Sequence, residues 1–164
     1  MQGTPEIVTR AAQPYAAVRA KVTMAELGGL GSRLGEVFGW LGARGIDPAG
    51  PPFFRYNVID MDRLLDVEAG VPVARETSGD DQVLTGVLPA GRYATALFQG
   101  HPSELVGAVA DLLEWADGEQ LTWDVWPGED GEHWGCRLEN YLTDPAAEPD
   151  MSKWVTELSF RLAD

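Results

Sequence analysis

Twice along its length the sequence runs through the same order of elements: strand, helix, strand, strand. "PYAAVRAKVTM" (Pro14 to Met24) alternates apolar residues and reads as a strand. "LGSRLGEVFGWLGARGI" follows, with Leu30, Leu34, Val37 and Leu41 at helical spacing. Its glycines, Gly31, Gly35, Gly39 and Gly42, weaken an isolated helix and suggest close packing or a ligand near the backbone. Pro48, Gly50, Pro51 and Pro52 then stop it, and "FFRYNVID" and "RLLDVEAGVPV" read as two strands. After the polar "ARETSGDD" the order begins again. "QVLTGVLPAGRYATALFQG" is a strand pair or one bent strand broken at Pro89-Ala90-Gly91. "SELVGAVADLLEWADGEQ" is a helix capped by Ser103, with Leu105, Val109, Leu112 and Ala116 facing inward. "HWGCRLENYL" and "WVTELSFRL" close the chain as strands.

A duplicated β-α-β-β order predicts an α+β fold: one curved, mostly antiparallel sheet with two main helices packed on it. The repeats run from about residue 14 to 73 and 82 to 162, and no linker divides residues 1–164 into two domains. Tyr15 and Tyr93 open equivalent strands, and Trp40 and Trp115 fall late in the two helices. A pseudo-twofold between such halves creates a central cleft, a common place for a ligand.

The rest of the sequence narrows the function by exclusion. With 164 residues, 45% hydrophobic and 23% charged, the chain has the composition of a globular domain. No apolar run approaches the roughly 20 residues that span a bilayer, and "MQGTPEIVTR" lacks an apolar signal region, so a cytoplasmic location without a membrane partner is expected. A net charge of −14 argues against direct contact with nucleic acid. One cysteine, Cys136, and two histidines, His101 and His133, do not make a metal set, and no phosphate loop is present, so no cofactor is expected. Cys136 reads as a buried, inert thiol and His101 as a loop residue.

The residue that resists a purely structural reading is Glu139, in the middle of "HWGCRLENYLTDP". Strands disfavour Glu, and a half-buried carboxylate is costly unless something pairs with it. By alternation Glu139 shares a face with His133, Gly135, Arg137 and Tyr141, opposite Trp134, Cys136, Leu138 and Leu142. On the residues alone, a solvated Glu paired with Arg137 and a ligand-facing Glu stand level.

The segments "PPFFRYNVID", "VLPAGRYATALFQG" and "RLENYLTDP…WVTELSFRL" together resemble the GyrI-like small-molecule-binding domain, the fold of the effector-binding domain of AraC-type and multidrug-sensing MerR-type regulators. The resemblance runs from about Pro5 to the C-terminus, and the chain holds no helix-turn-helix. It implies a cleft for flat, hydrophobic, often cationic multi-ring compounds, in which a Glu on the penultimate strand meets the positive charge among aromatic rings. Glu139 falls at that place, with Tyr141 two residues on. Tyr56, Phe53, Trp40, Trp115 and Trp134 are further candidates for the lining, and Glu157 is a second mid-strand carboxylate that would raise the pKa of Glu139 if it lay beside it.

Three functions follow. A stand-alone binding protein would sequester or sense such compounds, with Glu139 selecting charge. A hydrolase of cyclopropane-bearing aromatic natural products, an activity the resemblance also implies, would use Glu139 with Tyr56 or Tyr141. A gyrase modulator or adaptor would work through an acidic surface on a protein partner that the sequence does not name. The first is the expected one.

Overall fold

The fold is described from a computed structural model that covers residues 2–164. Ten antiparallel strands make one sheet: β1 (Glu6–Arg10), β2 (Gln13–Val22), β3 (Phe53–Ile59), β4 (Leu65–Pro72), β5 (Leu84–Leu88), β6 (Gly91–Gln99), β7 (Val125–Gly128), β8 (Gly131–Trp134), β9 (Arg137–Tyr141) and β10 (Val155–Arg161). The helices are α1 (Leu27–Ser32), α2 (Leu34–Ala43) and α3 (Leu105–Gly118). The architecture is α+β, with the helices against one face of a curled sheet forming a half-barrel.

The strand order is β1-β6-β10-β9-β3-β4-β2-β5, with the β7–β8 hairpin attached to β3. Exchanging β1–β4 for β5, β6, β9 and β10 in turn reproduces this order from the other end. The symmetric centre is the β3–β9 pair, and its register sets Phe54 opposite Glu139. The exchange also equates Phe54 with Glu139, Tyr56 with Tyr141, and Glu68 with Glu157, by the matching β3–β4 and β9–β10 registers.

The strands β5 and β6 do not pair with each other. β5 lies on β2 and β6 on β1, so the bend at Pro89-Ala90 carries the chain from one end of the sheet to the other. The single helix expected over residues 30–46 is two, broken at Arg33, and it buries Leu30, Val37, Trp40 and Leu41. Its glycines are not tightly packed as expected. A Cβ at Gly35, Gly39 or Gly42 meets nothing within 4 Å, and only Gly31 comes close to the sheet, where a Cβ would lie 3.6 Å from the Phe54 ring. The start of the second helical segment is capped by His101, not Ser103: the His101 ring accepts the Ser103 N–H.

Both faces of the sheet are buried, which is why the strands read as near-continuous apolar runs. On the helix face, Ala16, Val18, Phe54, Tyr56, Val67, Ala69 and Val71 pack with Trp40 and Leu41 in the first half. Ala94, Ala96, Leu158 and Phe160 pack with Ala108, Leu112 and Trp134 in the second. On the concave face Tyr15, Ala17, Phe53, Tyr93, Cys136 and Leu138 form a third cluster. Close approach there requires glycine at position 70, where a Cβ would fall 2.7 Å from the Phe53 ring.

Candidate functional site

The site is built around the β3–β9 seam on the helix face. Paired residues share a face, and Leu158, opposite Glu139, belongs to the helix-side core. Glu139 therefore points to the helix side at the symmetric centre of the sheet, with Tyr56 and Tyr141 beside it. The Tyr56 hydroxyl donates to Glu139 Oε1 at 2.9 Å and the Tyr141 hydroxyl donates to the same oxygen at 2.8 Å. Phe54 fills the facing position, edge-on to both phenols, with centroids 6.3 Å from Tyr56 and 5.4 Å from Tyr141.

The two oxygens of Glu139 are in different states. Oε1 accepts both phenols, whereas Oε2 has no hydrogen-bond partner among the described residues. The residue is only half-buried, as is Tyr141, so this oxygen is within reach from outside. Burial raises the Glu139 pKa above the ordinary carboxylate range, while the two phenols and the nearby charge of Arg137 hold it down. Tyr56 and Tyr141 are pushed well up by burial and by Glu139, so both remain neutral donors.

Arg137, two residues before Glu139, presents its guanidinium to the same face. It lies 4.7 Å from the Trp134 ring centroid and 4.5 Å from that of Phe160, a cation–π contact with both rings. Trp134 is buried beneath it, with its indole N–H donating to Glu132 at 2.7 Å.

Other expected residues lie elsewhere. Phe53 is fully buried on the concave face, edge-on to Tyr15 at 5.4 Å, because it is one residue out of phase with Phe54. Glu157 is also on the concave face, opposite Asn140, and pairs with Arg10 at 3.0 Å. It is not a neighbour of Glu139 and does not account for the raised pKa. Trp40 is buried in the same apolar cluster as Phe54, Tyr56 and Tyr141, but its N–H is on Asp80 at 2.9 Å and its ring lies 3.8 Å from the Arg44 guanidinium, and among the described residues no hydrogen bond joins it to Glu139. Trp115 is half-buried against the second core. The expected face of Glu139 also changes. Trp134 does not share a face with Cys136 and Leu138, because the chain breaks between β8 and β9 at Gly135, where any Cβ would collide with the Asp124 carboxylate.

Two residues of the seam were not singled out beforehand. Phe54 shares its face with Tyr56 by simple alternation, a signal present in "FFRY". Arg137 stood only as a partner for Glu139, yet no ion pair within 4.0 Å joins them.

A cavity of about 610 Å³ is lined in part by Arg19, Lys21, Asn57, Asp66, Trp126 and His133, and Glu139 takes no part in its wall. It is broad and solvent-filled, and its Arg19 and Asp66 already satisfy each other through two hydrogen bonds of 2.8 Å. At the seam, by contrast, Glu139 Oε2 has no such partner; among the described residues the buried unpartnered atom elsewhere is Arg55 Nε, on the opposite face of the sheet. Among the described residues no helix is long and apolar enough to cross a membrane.

Residues 3–163 match the model of a family described as a GyrI-like small molecule binding domain. No curated protein sequence matches the chain significantly. Among solved structures, the C-terminal domain of EcmrR is similar at 17% identity and a TM-score of 0.76, covering 98% of both chains. In an EcmrR–DNA complex the match covers 98% of this chain and 57% of that one, so the chain spans little more than half of that regulator. SAV2435 bound to tetraphenylphosphonium is similar at 9% identity and a TM-score of 0.68, covering 98% of this chain and 94% of that one. A hydrolase from Listeria innocua is similar at 15% identity and a TM-score of 0.61, covering 97% and 91%. At these identities the likeness is one of fold.

Proposed function

The chain belongs to the GyrI-like family of small-molecule-binding domains, and from that premise we propose that it binds hydrophobic, cationic multi-ring compounds at the β3–β9 seam, in a sequestering or sensing role. The observation that carries this reading is Glu139 itself. One carboxylate oxygen is held by two phenols and the other is left open beside aromatic rings. Neutral donors position the carboxylate without discharging it. A cation resting against Oε2 would supply a counter-charge, and Phe54, Tyr56 and Tyr141 would bury its rings. That a structurally similar protein, SAV2435, was solved with tetraphenylphosphonium supports this ligand class.

The test uses two ions of one shape and opposite charge, tetraphenylphosphonium and tetraphenylborate. The phosphonium should bind and the borate should not, and Glu139→Gln should narrow the difference by lowering phosphonium affinity about tenfold or more, the loss of a facing charge worth at least about 1.4 kcal/mol. Equal binding of both ions would remove the role of Glu139.

A second reading has a specific observation in its favour. Glu139 and Tyr56 are in hydrogen-bond contact at 2.9 Å, and burial raises the carboxyl pKa toward the range where a general base works well. Under this reading Oε2 takes a proton from water as the water oxygen attacks a strained ring carbon. The ring bond breaks, its electrons pass to the conjugated system, and the oxyanion takes a proton from Tyr56, which turns away from Oε1 as Glu139 becomes protonated; the Tyr56 phenolate then takes the proton back from Glu139, so that water is added overall. Incubation with a cyclopropane-bearing aromatic separates the two. A binder returns it intact, whereas the hydrolase gives hydrated product that disappears with Glu139→Gln.

A further inference from the structure

The chain carries ten arginines, and six of the nine besides Arg137 are paired with a carboxylate, while Arg55, Arg75 and Arg92 form no ion pair among the described residues. Arg10, Arg19, Arg33, Arg44, Arg63 and Arg161 each reach a carboxylate within 3.0 Å. Arg137 does not. It makes no hydrogen bond and no ion pair among the described residues, although the chain carries 26 Asp and Glu and a net charge of −14. Its guanidinium is nonetheless held in place: Trp134 and Phe160 lie against it at 4.7 and 4.5 Å, and those rings are buried and locked edge-to-face at 5.7 Å. The guanidinium N–H groups find no acceptor among the described residues, and a guanidinium fork suits a two-pronged acceptor.

Its neighbour on the strand has the complementary vacancy. Arg137 and Glu139 leave β9 on the same face with their Cα atoms two strand steps, roughly 7 Å, apart, and no ion pair within 4.0 Å joins them among the described residues. Each therefore lacks the partner a ligand could bring. A net anion would be repelled by the acidic chain as a whole, but a molecule carrying both charges would not.

We propose that Arg137 is a second recognition group of the seam site, and that the preferred ligands are dipolar aromatics: planar multi-ring compounds with a cationic group for Glu139 and a carboxylate for Arg137. This rests on the reading of the seam as the binding site, and it refines the ligand class from cations to zwitterions whose anionic group is a carboxylate. The carboxylate would lie in the plane of the guanidinium fork, and the ring system would extend over Phe54 and Tyr141.

Rhodamine 110 and its methyl ester, rhodamine 123, provide the test, because they share one cationic ring system and differ in a free or masked carboxylate. Fluorescence anisotropy with the full chain at neutral pH should show rhodamine 110 bound about tenfold tighter than the ester. Arg137→Met should erase that preference by weakening rhodamine 110 alone, and Arg137→Lys should restore part of it. Glu139→Gln should weaken both dyes. Equal binding of the two dyes by the wild-type chain overturns the proposal with no variant needed. So does an Arg137→Met variant that weakens both dyes alike, which would mark the guanidinium as packing for Trp134 and Phe160. If Glu139→Gln leaves both dyes unaffected, they sit elsewhere, and the seam reading falls together with this one.

Discussion

Glu68 on β4 and Glu139 on β9 face opposite sides of one sheet, and their oxygens are used differently. Glu68 is buried on the concave face, where Tyr15 donates to Oε1 at 2.6 Å and Asn57 to Oε2 at 2.7 Å. Arg55 joins the same network through the Tyr15 hydroxyl at 3.1 Å and the Gly135 carbonyl at 2.9 Å. Each oxygen of Glu68 thus has a partner, and the half-buried Arg55 stands near, with only its Nε unpartnered. Glu139 has two donors on one oxygen and none on the other, and its cation, Arg137, stands off. A closed network of buried polar groups holds a fold together. An open one at a symmetric centre, among rings, is a place to receive something. The equivalent position across the seam is Phe54, so the charge appears on one side of the pseudo-axis only.

The comparison breaks most visibly if the closed side is opened. Glu68→Ala leaves Tyr15 and Asn57 without an acceptor and the Arg55 charge without its nearby carboxylate. Removing one partner of a buried charge network costs about 3–5 kcal/mol. Urea unfolding should register that loss, while ligand affinity per folded molecule stays as in the wild type. A Glu68→Ala protein of unchanged stability would mean that the concave network is not structural.

The open side should be more forgiving. Tyr56→Phe removes one of two donors to Oε1 and leaves Tyr141 in place, so the cost should be about 1 kcal/mol in unfolding free energy. A loss as large as that of Glu68→Ala would place Glu139 in a closed network after all.

The subtlest difference is one of sign with pH. Glu139 is an acid whose folded pKa is raised by burial. Its contribution to stability is complete below the unfolded value, about 4.3, and is lost as pH rises through the folded value. Comparing unfolding midpoints of the wild type and Glu139→Gln at pH 4 and pH 7 should therefore show the gap moving in favour of the Gln variant at the higher pH. Movement the other way would show that the fold favours the carboxylate, as it would for a saturated one.

Much of this was legible in the residues. The α+β class, the order of elements and the standing of Glu139 come from periodicity, from Pro and Gly punctuation, and from a carboxylate where a strand does not want one. The faces were harder. Alternation carried through "HWGCRLENY" puts Trp134 with Leu138, but the break at Gly135 exists because the backbone there passes against Asp124, a contact no local pattern announces. Phe53 and Glu157 were candidates by residue type, and a sheet buried on both faces hides which type faces which side. Trp40 was a candidate by its place in the repeat, and its engagement with Asp80 and Arg44 depends on a loop that folds back onto α2. Arg137 is informative only through what it does not touch, and pairing is a property of three dimensions.

The account turns on whether the open oxygen of Glu139 meets a cation in its ionised form. Calorimetric titration of tetraphenylphosphonium into the wild type and Glu139→Gln, repeated from pH 5 to pH 8 in buffers of differing ionisation enthalpy, measures this directly. The prediction is that wild-type affinity rises with pH as Glu139 ionises, with proton release on binding at the acidic end, and that the Gln variant binds about tenfold or more weakly without that release. A Gln variant that binds the phosphonium as tightly as the wild type, with the same pH profile and the same proton count, would contradict it.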